Sequence, residues 1–262
     1  MSYIFSLNCK HSRRKLVRRT LAGAITLAVS VASLPVGHTA YSHTAVGQAG
    51  AVAADHELAS QAGAEILSQG GNAVDAAIAA ALALGVVQPA GSGLGGGGFL
   101  LIRKSDGQVA ALDFREVAPK QASRDMFVDP ATGQAVAERS RVGGLASGVP
   151  GEAAGFAKAL ADYGSLKPAQ VVAPALRLAD KGFAVGRHLA RSAANVVPKL
   201  AADHPLRSLL APQGQVLTMG TQIRRPELAS TLRVLSQDGF LAFYRTQPGS
   251  IGDDLLKAIK AI

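Results

Sequence analysis

Gly91-Ser92-Gly93-Leu94-Gly95-Gly96-Gly97-Gly98, followed at once by Phe99-Leu100-Leu101-Ile102-Arg103, is the stretch that decides the fold. The apolar run after the glycines reads as a strand. Ser105-Asp106-Gly107 supplies a turn, and Val109 to Phe114 reads as the returning strand of a hairpin. Before the glycines, Ala73 to Leu84 is almost wholly Ala, Val, Ile and Leu. A helix apolar on all sides is a buried one, and its small residues let neighbours approach closely. Asn72 is its expected cap, with Asp75 in the capping-box position, and Gly85 and Pro89 are expected to close it.

The order helix, glycine loop, strand excludes one tempting reading. Gly91-x-Gly93-x-x-Gly96 matches the dinucleotide fingerprint in spacing. That fingerprint needs a strand before it and a helix after it, so that the helix N-terminus meets the pyrophosphate. No Lys-Ser/Thr pair follows, which removes a Walker loop as well. The loop instead reads as backbone that needs positive φ and close approach to another element. Bare backbone amides of that kind can also border a binding site.

Further from the loop, helical patterns dominate. Asp55 is the expected cap of a helix with Leu58, Ala59, Ala62, Ile66 and Leu67 on one face, ended by Gly70-Gly71. Asp129-Pro130-Ala131-Thr132-Gly133 is a turn. A second glycine-rich stretch, Gly143 to Gly151, leads into a helix from Glu152 to Tyr163. Helical patterns follow at about 168–181 and 226–238, and the last residues, Lys257 to Ile262, look amphipathic. Helices before and after a hairpin predict an α+β class, not the strict alternation of a parallel sheet.

The 262 residues suffice for one sizeable domain, and 48% hydrophobic content supports a packed core. Trp is absent, so that core is expected to be built from Ala, Val and Leu. The net charge of +9 first suggests nucleic acid or an anionic membrane. Six of those charges, Lys10, Arg13, Arg14, Lys15, Arg18 and Arg19, stand in residues 1–50, which hold no Asp or Glu. An apolar run from Leu21 to Val36 follows them. Basic residues and then a short apolar run predict an export signal and short leader over residues 1–49, and a periplasmic or secreted product. The run is too short for a comfortable membrane span. The mature part keeps a surplus of only three, without aromatic interleaving, so nucleic acid is not an expected partner. The single cysteine, Cys9, leaves with the signal, which excludes a disulfide framework.

Few residues offer chemistry. His56, His188 and His204 are scattered and show no metal-ligand spacing. Arg187, Arg224 and Arg225 read as solvated surface, and no Gly-x-Ser-x-Gly elbow occurs. Leu112-Asp113-Phe114-Arg115-Glu116 closes the hairpin. Alternation sends Asp113 and Arg115 to one face and Phe114 and Glu116 to the other. Two readings of Arg115 stay open on these grounds. Its planar fork can take a substrate carboxylate, or it forms a structural ion pair with Asp113 or Glu116.

Taken together, these stretches resemble the gamma-glutamyltransferase (glutathione hydrolase) family. The resemblance runs through Ala59-Ser60-Gln61-Ala62-Gly63, the segment Ile66 to Ala77, and Ser92 to Phe99. It continues through Leu112 to Pro119, Gly148-Val149-Pro150-Gly151, Tyr163-Gly164-Ser165-Leu166, Gly182-Phe183-Ala184-Val185, Pro226-Glu227-Leu228-Ala229 and Phe243-Tyr244. It spans about residues 51–245 in the family's order. The resemblance implies an N-terminal-nucleophile hydrolase with an αββα sandwich, of which residues 50–262 are an incomplete, large-subunit portion. It implies a precursor that cuts itself, freeing a Thr whose hydroxyl attacks the γ-glutamyl amide while its own amine serves as base. The acyl group then passes to water, an amino acid or a peptide. No cofactor or catalytic metal is implied.

The same resemblance assigns Arg115 to the α-carboxylate of a γ-glutamyl substrate such as glutathione. The family's Thr-Thr-His-type motif has no match in this sequence. Thr221 follows a glycine but sits inside the large-subunit part, and is rejected as nucleophile. The expectation is therefore a fragment with no catalytic residue of its own, inactive without a small subunit. The alternatives are a fragment of a related acylase acting on β-lactam side chains, and a non-catalytic exported binding or scaffold protein derived from the family.

Overall fold

Helix α1 (Glu57–Ser68) and helix α2 (Ala73–Val87) pack on each other and open the computed structural model, which describes residues 47–261 apart from Ala49. Residues 1–46 of the expected export signal and leader, Cys9 among them, lie outside the described residues. Asn72 caps α2 as its sequence predicts. Its Oδ1 accepts from the N–H groups of Val74 and Asp75 at 2.8 and 3.1 Å, and Asp75 Oδ2 accepts from Asn72 N–H at 2.8 Å. That reciprocal pair satisfies donors left over at every helix start.

Two boundaries differ from expectation. The cap of α1 is His56, whose Nδ1 accepts from Leu58 N–H at 3.1 Å; Asp55 instead takes a hydrogen bond from the side chain of Gln88. Gly85 does not close α2, which runs on to Val87. An interior glycine costs a helix about 1 kcal/mol. Burying Val86 and Val87 completely repays more than that.

Strands β1 (Phe99–Arg103) and β2 (Val109–Asp113) form the expected antiparallel hairpin, with Leu101 opposite Ala111. One face, with Leu100, Ile102 and Leu112, packs on the core. The other leaves Phe99, Leu101 and Val109 at least 60% exposed. Helices α3 (Glu152–Tyr163) and α4 (Pro168–Lys181) follow, and β3 (Phe183–Ala184) then pairs with β4 (Gln222–Ile223). Helices α5 (Arg187–Val196) and α6 (Leu206–Leu210) lie between those two strands. Helix α7 (Pro226–Asp238), a 3-10 turn over Phe240–Tyr244 and helix α8 (Ile251–Ala261) complete the chain.

The core is α2 wrapped by α1 and α4, with α7 against α4. Its lining is Ala, Val, Leu and Ile, joined by an edge-to-face aromatic row of Phe114, Phe156 and Phe240 at 6.0 and 5.8 Å. The α+β class holds. Of an αββα sandwich, the described residues supply helical packing and two short two-stranded pieces of sheet.

Candidate functional site

The hairpin ladder runs one pair beyond its strands. Gly98 and Phe114 exchange backbone hydrogen bonds at 3.3 and 3.0 Å. Asp113 Oδ1 then accepts from Arg115 N–H at 3.0 Å and turns the chain out of the strand. The Phe114 ring goes inward onto Phe156, while the Arg115 side chain stays 62% exposed. Its Cζ sits 5.9 Å from the centre of the Phe99 ring, within cation–π range. Its Nε meets Glu116 Oε2 at 3.1 Å. Among the described residues, the terminal Nη groups have no hydrogen-bond partner. Both sequence readings of Arg115 thus have a physical basis here: an ion pair exists, with Glu116 and not with Asp113, and one edge of the fork remains open.

The glycines are needed where backbones cross. A side chain at Gly97 would overlap Phe114 O and crowd Arg115 Cα, and one at Gly151 would also overlap Phe114 O. Gly96 O accepts from the N–H groups of Gly151 and Glu152 at 2.9 and 3.1 Å, strapping the glycine loop to the start of α3. Val117 and Val149 pair across the same junction. From the other side, the Tyr244 hydroxyl donates to Pro150 O at 2.8 Å and accepts from Ala154 N–H at 3.1 Å. Three segments distant in sequence therefore fix the backbone that carries Arg115.

Electrostatics divide the local acids. Glu116 is held below the ordinary carboxylate range by its own backbone N–H, by Arg115 and by the Gly97 N–H. Glu152, only 7% exposed, is pushed up to about 7 by burial and by the charge of Glu116, against a hydrogen bond from Gly93 N–H. Sequence reasoning missed Glu152. An acid at the first position of a helix is ordinary dipole complement, and the glycine loop and Glu116, which share its cleft, are too far away in sequence for any spacing to reveal them.

A cleft of about 600 Å³ borders this junction, lined by Gly93, Gly96, Glu116, Glu152, Arg225 and Phe243 among others. Arg225 corrects the surface expectation: it is partly buried. Its Nη1 donates to Gly85 O at 2.6 Å and Val86 O at 3.0 Å, the carbonyls of the last turn of α2. Burial lowers its pKa, opposed by Glu227. Arg187 and Arg224 are exposed as expected, and His188 is exposed too. His56 serves as a helix cap, and burial lowers its pKa against the charges of Glu57 and Asp55. Thr221 lies beside β4, with its hydroxyl 3.0 Å from that of Thr218 and its carbonyl accepting from Val185 N–H, and it does not line the cleft.

Comparison with known proteins places these features in a wider group. A gamma-glutamyltranspeptidase family profile matches residues 59–262. The chain is 41% identical over 212 residues to glutathione hydrolase 3 of Arabidopsis thaliana, covering 80% of this chain and 32% of the relative. It is 38% identical over 219 residues to the glutathione hydrolase proenzyme of Escherichia coli, covering 83% and 37%. The crystal structure of Helicobacter pylori gamma-glutamyltranspeptidase superposes with a TM-score of 0.77 at 35% identity, covering 83% of this chain and 62% of that one. The chain thus spans roughly a third of the length of these curated relatives.

Proposed function

The chain belongs to the gamma-glutamyltranspeptidase family, and on that premise we propose that it supplies the carboxylate-binding part of a γ-glutamyl-transferring site. In this reading Arg115 takes the α-carboxylate of a γ-glutamyl compound such as glutathione. The nucleophilic Thr comes from a small-subunit segment that the 262 residues do not include. Its hydroxyl attacks the γ-carbonyl and the amine leaves, protonated by the general base. Water or an amino acid then takes the acyl group and frees the hydroxyl. The observation that carries the reading is the position of Arg115. Its fork is exposed at the edge of a glycine-built junction, and its Nη edge is open to a second carboxylate. The six basic residues followed by the apolar run from Leu21 to Val36 support an exported site of action, periplasmic or secreted.

The exposed hairpin face supports a further layer supplied by that small-subunit segment. Phe99 and Leu101 are 68% and 75% exposed and form a contiguous apolar strip with Val109. A strip of this kind on a two-stranded sheet is unfavourable in water.

The test uses the full chain, a γ-glutamyl anilide and L-glutamate. The chain alone is expected to release no aniline, and turnover comparable to that of a complete relative would misplace the nucleophile. L-Glutamate is expected to bind the wild type and to bind Arg115→Ala at least tenfold more weakly, the equivalent of about 1.4 kcal/mol. Equal binding by both would sink the Arg115 role. Preference for acyl ligands without an α-carboxylate would favour the β-lactam acylase reading.

A further inference from the structure

Helix α3 starts at Gly151 without a side-chain cap, and its first turn is not closed in the ordinary way. In a regular helix the Ala154 N–H would donate to Pro150 O, four residues back. Here the Tyr244 hydroxyl stands between the two groups. It accepts from Ala154 N–H at 3.1 Å and donates to Pro150 O at 2.8 Å. One residue further on, the helix is regular, with Gly155 N–H donating to Gly151 O at 2.9 Å. The inserted atom has to accept and donate at once, which a hydroxyl does and a bare phenyl ring does not.

This insertion decides where Pro150 stands. Pro has no N–H to anchor it, and its carbonyl is taken by Tyr244. On one side of Pro150, Val149 exchanges backbone hydrogen bonds with Val117 at 2.8 and 3.2 Å. On the other, Gly151 donates to Gly96 O at 2.9 Å and lies so close to Phe114 O that a side chain there would overlap it. Arg115 and Glu116 are the two residues between those holds. The ring of Tyr244 is secured separately. It lies edge-on to Phe243 at 5.3 Å, and Phe240 of the same 3-10 turn meets Phe156 of α3 at 5.8 Å.

We propose that Tyr244 is a positioning residue for Arg115: its hydroxyl, inserted into the first turn of α3, holds Pro150 off the helix and beside the strand end that carries the guanidinium. The consequence for substrate rests on the carboxylate-binding reading of Arg115; the mechanical link does not. Without the hydroxyl, Ala154 N–H is free to bond Pro150 O directly, which draws Pro150 into α3. Val149 and Gly151 move with it, and the holds on Val117 and Phe114 loosen. Arg115 then shifts against Glu116 and against the Phe99 ring, its two side-chain contacts.

The experiment is Tyr244→Phe in the full chain, which keeps the ring and removes the hydroxyl. The Arg115 Nε–Hε and the Val117 and Gly151 amides are read by nuclear magnetic resonance, at a temperature well below the Tm of both proteins. All three signals are expected to move in the variant. L-Glutamate is the probe for the second arm, and its Kd is expected to rise about fivefold or more, since small misplacements of a binding group are costly. A lower Tm with the Arg115 and Val117 signals unmoved would make Tyr244 a purely structural residue and overturn the proposal. Failure of Tyr244→Phe to fold would do the same, because the hydroxyl would then serve the fold as a whole. Moved signals with an unchanged Kd would overturn the consequence for substrate. Failure of L-glutamate to bind the wild type, with the signals still moving in the variant, would remove the carboxylate-binding reading and keep the positioning one.

Discussion

Asp75 and Glu152 are both buried acids in the first turn of a helix, and their pKa values move in opposite directions. Asp75 is fully buried, at 0% exposure. Burial alone would raise its pKa. The Ser165 hydroxyl, at 2.6 Å, and the N–H groups of Asn72, Leu166 and Ser165 outweigh that and hold it below the ordinary value. At Glu152 burial, together with the charge of Glu116, outweighs the little hydrogen bonding it receives, so it is pushed up. Burial raises both carboxyls, and the number of donors around each decides whether that rise survives. The Asp75 end is a structural knot joining α1, α2 and the approach to α4. The Glu152 end instead borders the cleft that Glu116 also lines.

The largest expected effect breaks the first region. Asp75→Ala leaves the Asn72, Ser165 and Leu166 donors without their acceptor, and should lower stability by about 3 kcal/mol or more in urea melts. A loss below about 1 kcal/mol would put Asp75 on the same footing as a surface acid.

Next in size is the pH dependence of the second region. The Glu152 pKa is raised in the folded state above its unfolded value of 4.5. Between those values the folded chain holds a proton that the unfolded chain has lost, so the contribution of Glu152 is fully present below pH 4.5 and falls as pH rises towards 7. The loss is at most about 3 kcal/mol, and Glu152→Gln should lack it. His56 acts in the opposite sense, because its lowered pKa gives stability that is lost as pH falls. The difference between wild type and Glu152→Gln isolates the acid. Parallel Tm profiles of the two proteins would contradict the assignment.

Arg115→Lys should change stability by less than about 1 kcal/mol, because its pair with Glu116 is largely solvated. It should nonetheless weaken L-glutamate binding, since a point charge does not reproduce the fork. A clear drop in Tm with normal binding would make Arg115 a structural residue.

Smallest in stability is Leu101→Lys on the outer hairpin face, within about 0.5 kcal/mol at a site 75% exposed. Its readout is self-association of the full chain by light scattering, which should fall. Unchanged association would show that the apolar strip is not the adhesive surface.

How far these regions are legible in the sequence differs between them. The Asn72–Asp75 capping box is local, three residues apart, and reads directly. Helices α3, α4 and α7 keep their expected bounds because apolar periodicity and flanking Gly or Pro mark both ends. Asp55 was the expected cap of α1, and His56 holds the position, because Gln88 from the end of α2 draws Asp55 away. Arg225 read as surface since its acceptors, Gly85 and Val86, are about 140 residues upstream. Arg115 was legible as a fork at the end of a strand; its choice of Glu116 over Asp113 was not, because Asp113 is spent on the Arg115 backbone N–H.

By itself the sequence determined the caps, the helices, the hairpin with apolar residues on both faces, and the glycines that let the junction form. These follow from interactions within a few residues of each other, where spacing is geometry. Only the tertiary structure decided that Gly96 is strapped to the start of α3, that Arg225 closes α2, and that Glu152 lies buried in the cleft that Glu116 also lines. Desolvation and charge coupling depend on which segments meet in space, so the raised pKa of Glu152 belongs to the fold and not to any stretch of the chain.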